Sequence, residues 1–461
     1  AVTPALDAFA RDAVSFRSAF CQNPVCTPSR CSFMTGWYTH VNGHRTMHHM
    51  LRPHEPMLLR TLKEAGYFVW WGGKNDVVPA EGGFEAFCDE KYRPPVPPAR
   101  PNPHSWDEWR GAPDSDTYYS FHLGRLEHDP ATGPYDDGDW AMVHGAIDRI
   151  RHAPKDQPLC LYLPLGYPHP PYAAEDPYYS AVDPARVPAR IPTPQDWSRK
   201  PSLLRGIAER QRLQGWTEAR WRELRRTYYA SCARVDRQFG LVLEALNSAG
   251  LYDDTAVFFF SDHGDFTGDY GLVEKTQNTF EDCLVRVPFL IKPPAGVPVK
   301  PRVSEALVEL VDMSATVEAV TGVPPRHTHF GRSLLPVLAG ATDEHRDAVF
   351  CEGGRLESED HASETDQGEY PAQSLYWPRV GLQARIPEHS KAAMCRTRTH
   401  KYVTRLYEPD ELYDLAADPG ELDNRAGDPA LASVQRALTD RLLRFYLATG
   451  DQVPHDLNRR S

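Results

Sequence analysis

Short apolar runs alternate with longer helical patterns along the chain, and this alternation predicts the elements of the fold. Runs rich in β-branched and aromatic residues predict strands in "YFVWWG" from Tyr67, "LCLYLPLGY" from Leu159 and "AVFFFSD" from Ala256. Between the last two runs, apolar residues at helical spacing predict a core-facing helix over residues 217–248, which Gly250 ends. Strands separated by helices in this way are typical of an α/β sheet sandwiched between helices.

A polar and acidic stretch after "GRSLLPVLAG" divides the chain into two parts. It separates a main body, residues 1–345, from a smaller C-terminal subdomain, residues 346–461. The smaller part contains strand-like pieces within residues 392–405 and a closing helix over about residues 429–449, and we interpret it as structural. The predicted fold class is therefore α/β, with a large, mixed and mostly parallel sheet between helices and a C-terminal α+β subdomain.

Composition narrows the class of protein and its partners. The 461 residues are 41% hydrophobic and 25% charged, which indicates a globular chain with a sizeable core. A net charge of -12, with the carboxylates scattered, disfavours nucleic acid and acidic membranes as partners. No apolar run approaches the roughly 18 residues of a membrane span, so we expect no membrane association.

Cysteine usage bears on the cellular compartment. Nine cysteines, an odd number spread over a long chain, argue against a disulfide framework and favour a reducing compartment. The sequence begins with "AVTPALDAFA", in which we find no signal peptide. A cytoplasmic location is the expectation, and the oligomeric state is left open.

The stretch "CQNPVCTPSRCSFMTG" concentrates candidate chemistry in its second cysteine, Cys26. The pattern that starts there is Cys-x-Pro-Ser-Arg-x4-Thr-Gly. Six fixed positions at roughly one in twenty each make a chance match improbable, on the order of one in 100,000 for a chain of this length. No second Cys/His pair nearby supports a zinc site, and Cys21 and Cys31 are predicted to pack in the core. A helix that begins at Pro28 would place Arg30 one turn from Cys26 and favour an anion at its N-terminus.

A second candidate constellation lies in "FFFSDHGDFTGDYGLVEK". The apolar strand carries Asp262 and His263 at its carboxyl end, where α/β sheets have their functional sites. Asp262 offers a hard oxygen ligand that suits calcium, while His263 is a less typical calcium ligand. These residue types predict a divalent cation site after the strand.

These segments resemble the sulfatases of the alkaline phosphatase superfamily, and the resemblance covers nearly the whole chain. It implies an alkaline-phosphatase-like fold and a sulfuric ester hydrolase. It also implies that a formylglycine-generating enzyme oxidises Cys26 to formylglycine, which Arg30 then holds. A thiolate that accepted a sulfuryl group would be left as a stable ester. A hydrated aldehyde instead attacks with one hydroxyl and expels sulfate with the other.

The resemblance further implies the metal site and the charged contacts to the sulfate. Cys26, Asp262 and His263 would bind the cation, with calcium expected and magnesium as the alternative. Lys74 in "WWGGKNDV" and Lys275 in "GLVEK" would neutralise the sulfate charge.

His169 and the residues after Lys74 complete the predicted substrate site. His169 in "LPLGYPHPPY" would contact the ester and protonate the leaving oxygen. The family commonly has a histidine one to three residues after the lysine that corresponds to Lys74. This chain has Asn75 and Asp76 there, and we predict that they face the substrate.

Two acidic metal ligands of the resembled family have no counterpart in the sequence. They normally lie on a strand just before the segment that begins "TPALDAFARD" here. Asp7 and Asp12 are poor substitutes because their segment has helical apolar spacing, which we take to include Val14. We therefore expect the natural protein to continue upstream of Ala1.

Three functions stay open at this point. The leading one is hydrolysis of a sulfate monoester, on a sulfated carbohydrate or an aryl sulfate. The aromatic residues Trp106, Trp109 and Tyr118 favour the carbohydrate. The alternatives are a phosphonate monoester or phosphodiester hydrolase with the same formylglycine site, and a non-catalytic homologue that binds sulfated sugars.

Overall fold

The structure is a computed structural model that describes residues 2–100, 108–129, 131, 133–365 and 370–455, so Trp106 lies outside the described residues. The strands are β1 (Val14–Phe20), β2 (Phe68–Trp71), β3 (Glu90–Lys91), β4 (His122–Leu126), β5 (Leu159–Tyr162), β6 (Tyr172–Glu175), β7 (Val257–Phe260), β8 (Arg286–Lys292), β9 (Arg302–Glu309), β10 (Val349–Gly353), β11 (Ala392–Arg396), β12 (His400–Arg405) and β13 (Glu411–Asp414). The α-helices are α1 (Pro4–Phe9), α2 (Cys26–Thr35), α3 (Thr39–Asn42), α4 (Leu58–Glu64), α5 (Gly138–Arg151), α6 (Tyr178–Ala181), α7 (Ser202–Gln211), α8 (Glu218–Ser248), α9 (Asp282–Val285), α10 (Asp312–Thr321), α11 (Leu335–Leu338), α12 (Trp377–Val380) and α13 (Ala432–Thr449). None of the helices in these described ranges is long and apolar enough to span a membrane.

Two sheets form the centre of the main body, one with the strand order β7-β8-β1-β9 and one with the order β3-β2-β5. The second sheet is parallel throughout, whereas β8 runs antiparallel to both β1 and β7. Strands β4 and β6 form a separate parallel pair. The predicted strands from Tyr67, Leu159 and Ala256 are confirmed as β2, β5 and β7.

Helices cover both faces of these sheets. Leu161 of β5 and Val257 of β7 pack against a cluster supplied by α5 and α8. Tyr162 and Phe258 point to the opposite face and pack against the largest core cluster, which includes residues of α2, α4 and α10. Side chains on a strand alternate between faces, so the sheets are sandwiched between helices as the pattern predicts.

The long helix predicted over residues 217–248 is confirmed as α8. The side chain of Thr217 accepts a hydrogen bond from the backbone N–H of Arg220 and caps the start of the helix. Gly250 follows the end of α8 with a φ of +70°, a left-handed conformation that glycine adopts without strain.

The segment around Val14 differs from the prediction. Helix α1 ends at Phe9, and Val14 begins strand β1, which pairs with β8 on one side and with β9 on the other. Val14 and Phe16 are buried and Arg17 is exposed, so "VSFRSAF" follows the two-residue period of a strand. The helical interpretation of Val14 is wrong. Val14 lies four residues after Ala10, and this spacing fits the period of a helix as well as the two-residue period of a strand.

Strands β5 and β7 bring the two sheets together at one end. Within the described ranges, β5 pairs with β2 and β7 pairs with β8, and each has side chains that are only half-buried. Arg30 bonds both to Tyr162 at the end of β5 and to Asp262 just after β7. The carboxyl ends of the two strands therefore meet at one arginine. The acidic strand that we expect upstream stays a prediction.

Residues 346–461 contain an antiparallel sheet with the order β10-β11-β12-β13, and α13 packs on it. The predicted strand pieces and closing helix of this region are thus confirmed, and the fold class is α/β with a C-terminal α+β part. The boundary between residues 345 and 346 stays a prediction.

Candidate active centre

Cys26 is the first residue of α2. Val25 before it has an extended backbone, and Pro28 lies in the first turn, where a helix needs no backbone N–H. Gly36 ends the helix with a φ of +69°. The Cys26 side chain is only 2% exposed. The sequence thus places Cys26 where the helix dipole and free N–H groups favour a negative charge, two residues earlier than the helix start predicted at Pro28.

Two cationic groups contact the Cys26 sulfur. Its Sγ atom lies 3.2 Å from Nε2 of His263 and 3.4 Å from Nζ of Lys74. Burial opposes ionisation of the thiol, but Lys74 and His263 outweigh it and lower the pKa of unmodified Cys26 to about 6. The centre is therefore built to hold an anion at this atom.

Asp262 and His263 follow β7 and complete a group of three ligands. One ligand atom each from Cys26, Asp262 and His263 lies within 4.8 Å of the others, the one such group of His, Cys, Asp and Glu within the described ranges. The Gly264 carbonyl lies 2.8 Å from Nδ1 of His263 and accepts a hydrogen bond from it, which leaves Nε2 facing the centre. The carboxylate, the imidazole and the atom at Cys26 converge, so these residues fit a divalent cation.

The charges of Asp262 and His263 support each other. Burial disfavours both charged forms, but Asp262 and Cys26 raise the pKa of His263 to about 9. Arg30 and His263 hold the pKa of Asp262 well below its usual range despite its burial. Without a cation each group thus stays charged because its neighbours carry the opposite sign, and a bound cation would take the place of the proton on Nε2 of His263.

Arg30 acts mainly on Asp262. Its Nε donates to Oδ2 of Asp262 at 2.9 Å, and its Nη1 donates to the Tyr162 hydroxyl at 3.4 Å. Ser29 adds a hydrogen bond of 2.5 Å to the backbone carbonyl of Asp262. Helix α2 therefore orients the loop after β7 that carries the candidate metal ligands Asp262 and His263, and it also carries Cys26.

Lys275 and His169 form a second part of the centre. Nζ of Lys275 lies 2.8 Å from Nε2 of His169, and the Lys275 charge acts on Cys26. Nδ1 of His169 donates to the Pro170 carbonyl at 2.6 Å, so Nε2 is the acceptor for Lys275. Glu274 forms an ion pair of 2.8 Å with the same lysine.

The two residues after Lys74 have different surroundings. Asp76 forms an ion pair of 2.8 Å with Lys74, at the edge of the centre. The Asn75 side chain donates to the carbonyl of Val78 and accepts from the backbone N–H groups of Val77 and Val78. Asn75 therefore closes its own loop, and its predicted contact with the substrate stays a prediction.

The structure thus brings Cys26, Lys74, Asp262 and His263 into direct contact, with Arg30 behind them. Sequence reasoning missed two residues of the centre, Tyr162 and Glu274. Tyr162 had a signal, since it ends a predicted strand on the side where sites form. The only sequence signal for Glu274 was its position next to Lys275 in the chain.

Known proteins share this fold and are similar in sequence to this chain. The sulfatase family model matches residues 1–323, well over half of the chain. The fold and the family model define a hydrolase of the alkaline phosphatase superfamily. The chain belongs to the sulfatase family, the sulfuric ester hydrolases of that superfamily.

Individual relatives are distant but extend over most of the chain. The multifunctional alkaline phosphatase superfamily protein PehA of Trinickia caryophylli is 25% identical, over 98% of this chain and 90% of its own. The choline-sulfatase of Rhizobium meliloti is 26% identical, over 95% of this chain and 80% of its own. The phosphonate monoester hydrolase of Silicibacter pomeroyi has the same fold, with a TM-score of 0.73 and 23% identity, over 98% of this chain and 91% of its own.

Proposed function

We propose that this protein hydrolyses sulfate monoesters with a nucleophile made from Cys26, beside a divalent cation held by Cys26, Asp262 and His263. The observation that carries the proposal is the convergence of these three ligand atoms within 4.8 Å at the start of a helix. Lys74 on the same atom adds the positive field that a sulfate group needs.

The nucleophile is proposed to be formylglycine. Its aldehyde would first add water to give two hydroxyl groups on one carbon. One hydroxyl would attack sulfur as the bond from sulfur to the alcohol oxygen breaks, and the other would lose its proton and re-form the aldehyde as sulfate leaves. The chain's own residues prepare that chemistry. Arg30 holds Asp262 in place, Lys74 stabilises negative charge at residue 26, and His263 would hold the cation.

Departure of the alcohol needs a proton, and the pair of Lys275 and His169 is suited to provide it. Nζ of Lys275 lies 2.8 Å from Nε2 of His169, so Lys275 can supply a proton that His169 passes to the leaving oxygen. We propose that the leaving oxygen takes this proton as the ester bond to sulfur breaks. The Pro170 carbonyl keeps His169 in the tautomer that this transfer requires.

Maturation and the cation complete the proposal. Cys26 is 2% exposed, so an enzyme can reach its side chain only before the chain has folded. We therefore propose that a formylglycine-generating enzyme acts on the unfolded chain. Calcium is the proposed ion and magnesium the alternative, because Asp262 supplies a hard oxygen ligand.

The substrate beyond the sulfate is proposed to be a sulfated carbohydrate or an aryl sulfate. The aromatic argument for a sugar now rests less on Tyr118. Its ring lies 3.7 Å from the Arg110 guanidinium carbon, and its hydroxyl donates to the carbonyl of Gln373. An aryl sulfate is therefore the first substrate to test, followed by sulfated monosaccharides.

Mass spectrometry of the peptide that contains Cys26 tests the nucleophile. Protein coexpressed with a formylglycine-generating enzyme should carry the aldehyde and hydrolyse 4-nitrophenyl sulfate. Cys26→Ala should lose this activity, with a loss of at least about 1,000-fold. Cys31→Ala is the matched control, since Cys31 is a buried cysteine of the same helix and should keep its activity. Full activity of Cys26→Ala would refute the mechanism.

A substrate panel and a chelator separate the remaining functions. Wild-type protein should prefer 4-nitrophenyl sulfate to the matching phenyl phosphonate ester, and the reverse preference would favour the phosphonate monoester hydrolase. EDTA should remove activity, and added Ca²⁺ should restore it better than Mg²⁺. An intact thiol at Cys26 together with tight binding of sulfated sugars would instead favour a non-catalytic homologue.

A further inference from the structure

The C-terminal region reaches the active centre through one buried arginine, Arg379 on α12. Its Nε donates to Oε2 of Glu274 at 3.1 Å, and its Nη1 donates to Gln277 at 3.0 Å and to Glu364 at 3.1 Å. Arg379 is 7% exposed, and its three partners are buried as well. The guanidinium therefore has its orientation set by acceptors from two separate parts of the chain.

Glu274 shares its carboxylate between this arginine and the active centre. While Oε2 accepts from Arg379, Oε1 lies 2.8 Å from Nζ of Lys275. Burial opposes ionisation of Glu274, but Lys275 and Arg379 outweigh it and lower the pKa of its carboxyl group. The carboxylate thus stays charged between two cations.

The backbone of Glu274 is strained and firmly held. Its φ is +68°, a left-handed conformation that a residue with a long side chain seldom adopts. Its N–H donates to the Tyr172 hydroxyl at 2.9 Å, and its carbonyl accepts from the N–H of Phe266 at 3.0 Å. Strain that is kept in place by surrounding contacts is typical of residues with a functional role.

Lys275 lies between two groups that hold its position. Its Nζ forms an ion pair with Oε1 of Glu274 and a hydrogen bond with Nε2 of His169. If Glu274 turned away, the lysine would no longer be held against His169.

We propose that Glu274 and Arg379 are positioning residues, which hold Lys275 against His169 so that the pair can protonate the leaving group. This inference rests on the proposed function, in which Lys275 and His169 act on the ester. It gives the region after residue 346 a part in the reaction, in addition to its structural role. The order of action is Arg379 on Glu274, Glu274 on Lys275, and Lys275 on His169.

A series of aryl sulfates with increasingly basic leaving groups tests the proposal. Arg379→Met and Glu274→Gln should both lose activity, and the loss should grow from about 10-fold with 4-nitrophenyl sulfate to about 100-fold with phenyl sulfate, because a poorer leaving group depends more on its proton. Arg379→Lys keeps the charge and should recover activity to within about fivefold of wild type. A merely structural loss would lower all rates by one factor.

Arg396→Met is the matched control. Arg396 is also 7% exposed, and like Arg379 it joins the C-terminal region to a main-body carboxylate, in this case from β11 to Asp282. It should lose stability without any change in leaving-group dependence. The proposal is overturned if Arg379→Met and Arg396→Met give the same dependence as wild type.

Failure of the proposed function would give a different result. In that case the wild-type protein would hydrolyse no sulfate ester at all. Calorimetry with inorganic sulfate then tests the positioning, because a displaced Lys275 should weaken binding. We expect a Kd about tenfold higher for Arg379→Met than for wild type. Equal titration curves for the two proteins would overturn the inference.

Discussion

Two buried clusters of charge in this protein have different compositions. The active centre contains four cationic groups, Arg30, Lys74, His263 and Lys275, and their partners are the carboxylates of Asp76, Asp262 and Glu274. The second cluster lies between the main body and the C-terminal sheet, and we call it the interface cluster. Its members are Lys200, Glu281, Asp282, Arg396, Lys401 and Glu421.

The balance of charge separates the two clusters. The buried members of the interface cluster are three cations and three carboxylates, and Lys401 contacts both Asp282 and Glu421. Arg286 also pairs with Asp282, at 4.0 Å, but its side chain is half-exposed. Each of its buried cations is paired with a carboxylate within the protein, so we expect the cluster to hold the two parts together. The active centre has one cation more than it has carboxylates, and the excess surrounds Cys26. Unbalanced positive charge around Cys26 is therefore the feature that separates the candidate active centre from the interface cluster.

The largest effect is expected at the interface cluster. Lys401→Met would leave Asp282 and Glu421 buried without their shared cation. Removal of one partner from a buried ion pair lowers the free energy of unfolding by about 3–5 kcal/mol. Urea denaturation measures this loss, and kcat/KM per folded molecule should stay within about twofold of wild type.

An exposed ion pair provides the control for that experiment. Arg17 on β1 pairs with Glu305 at 3.2 Å, and its side chain is 64% exposed. Arg17→Met should change the free energy of unfolding by less than about 1 kcal/mol, because water screens the pair. Equal losses for the two variants would contradict the role given to the interface cluster.

The next largest effect is expected at Lys74 and should fall on activity. Lys74→Met removes the ammonium group 3.4 Å from the Cys26 sulfur. We expect kcat/KM for 4-nitrophenyl sulfate to fall about 100- to 1,000-fold, the effect of losing one group that stabilises transition-state charge. The control is Lys63→Met, since Lys63 is a half-buried lysine paired with Asp89 away from the centre. A similar fall in both variants would contradict the comparison.

Much of the fold and the active centre was predictable because their signals are local. A strand that ends in Asp262 and His263, and a helix that starts near Cys26, both follow from neighbouring residues. Lys74 and His169 also follow strands, so the order of residues along the chain is enough to predict their place at one end of the sheets.

The contacts that sequence reasoning missed join residues far apart in the chain. Arg379 and Glu274 are separated by 105 positions, and no periodic pattern connects them. The misread helix at Val14 has the same cause, because pairing with β8 and β9 decided the conformation of that segment. Local patterns therefore predict most helices and strands. Where a segment fits both a helical and a strand pattern, pairing with distant strands decides which one forms.

The pH dependence of stability at a buried histidine, His389, provides a smaller test of how burial and neighbouring charges act together. Burial, together with Arg355, Arg379 and Arg45, lowers the pKa of His389 to about 3, the reverse of the shift at His263. Unfolded His389 takes up a proton below its usual pKa of about 6.5, whereas the folded protein takes it up only near pH 3. Stability is therefore lost as the pH falls, by about 2 kcal/mol from this residue between pH 6.5 and 5.

His389→Gln should remove that contribution, so its stability should depend less on pH than that of wild type over this interval. Chemical denaturation at pH 6.5 and at pH 5 gives the difference. His152→Gln is the control, because the His152 side chain is 71% exposed and the substitution should leave the pH dependence unchanged. An unchanged dependence in His389→Gln would show that its burial does not exclude the proton.

The smallest effect is expected at Asn75. It decides whether Asn75 contacts the substrate in the active centre or only supports the loop after Lys74. Its three hydrogen bonds to Val77 and Val78 support the loop that follows Lys74. Asn75→Ala would leave these backbone groups without partners and should lower the free energy of unfolding by about 1–2 kcal/mol. If Asn75 only supports the loop, KM for 4-nitrophenyl sulfate should stay within about threefold of wild type. A much larger rise in KM with unchanged stability would instead make Asn75 a substrate ligand, as its position after Lys74 predicts.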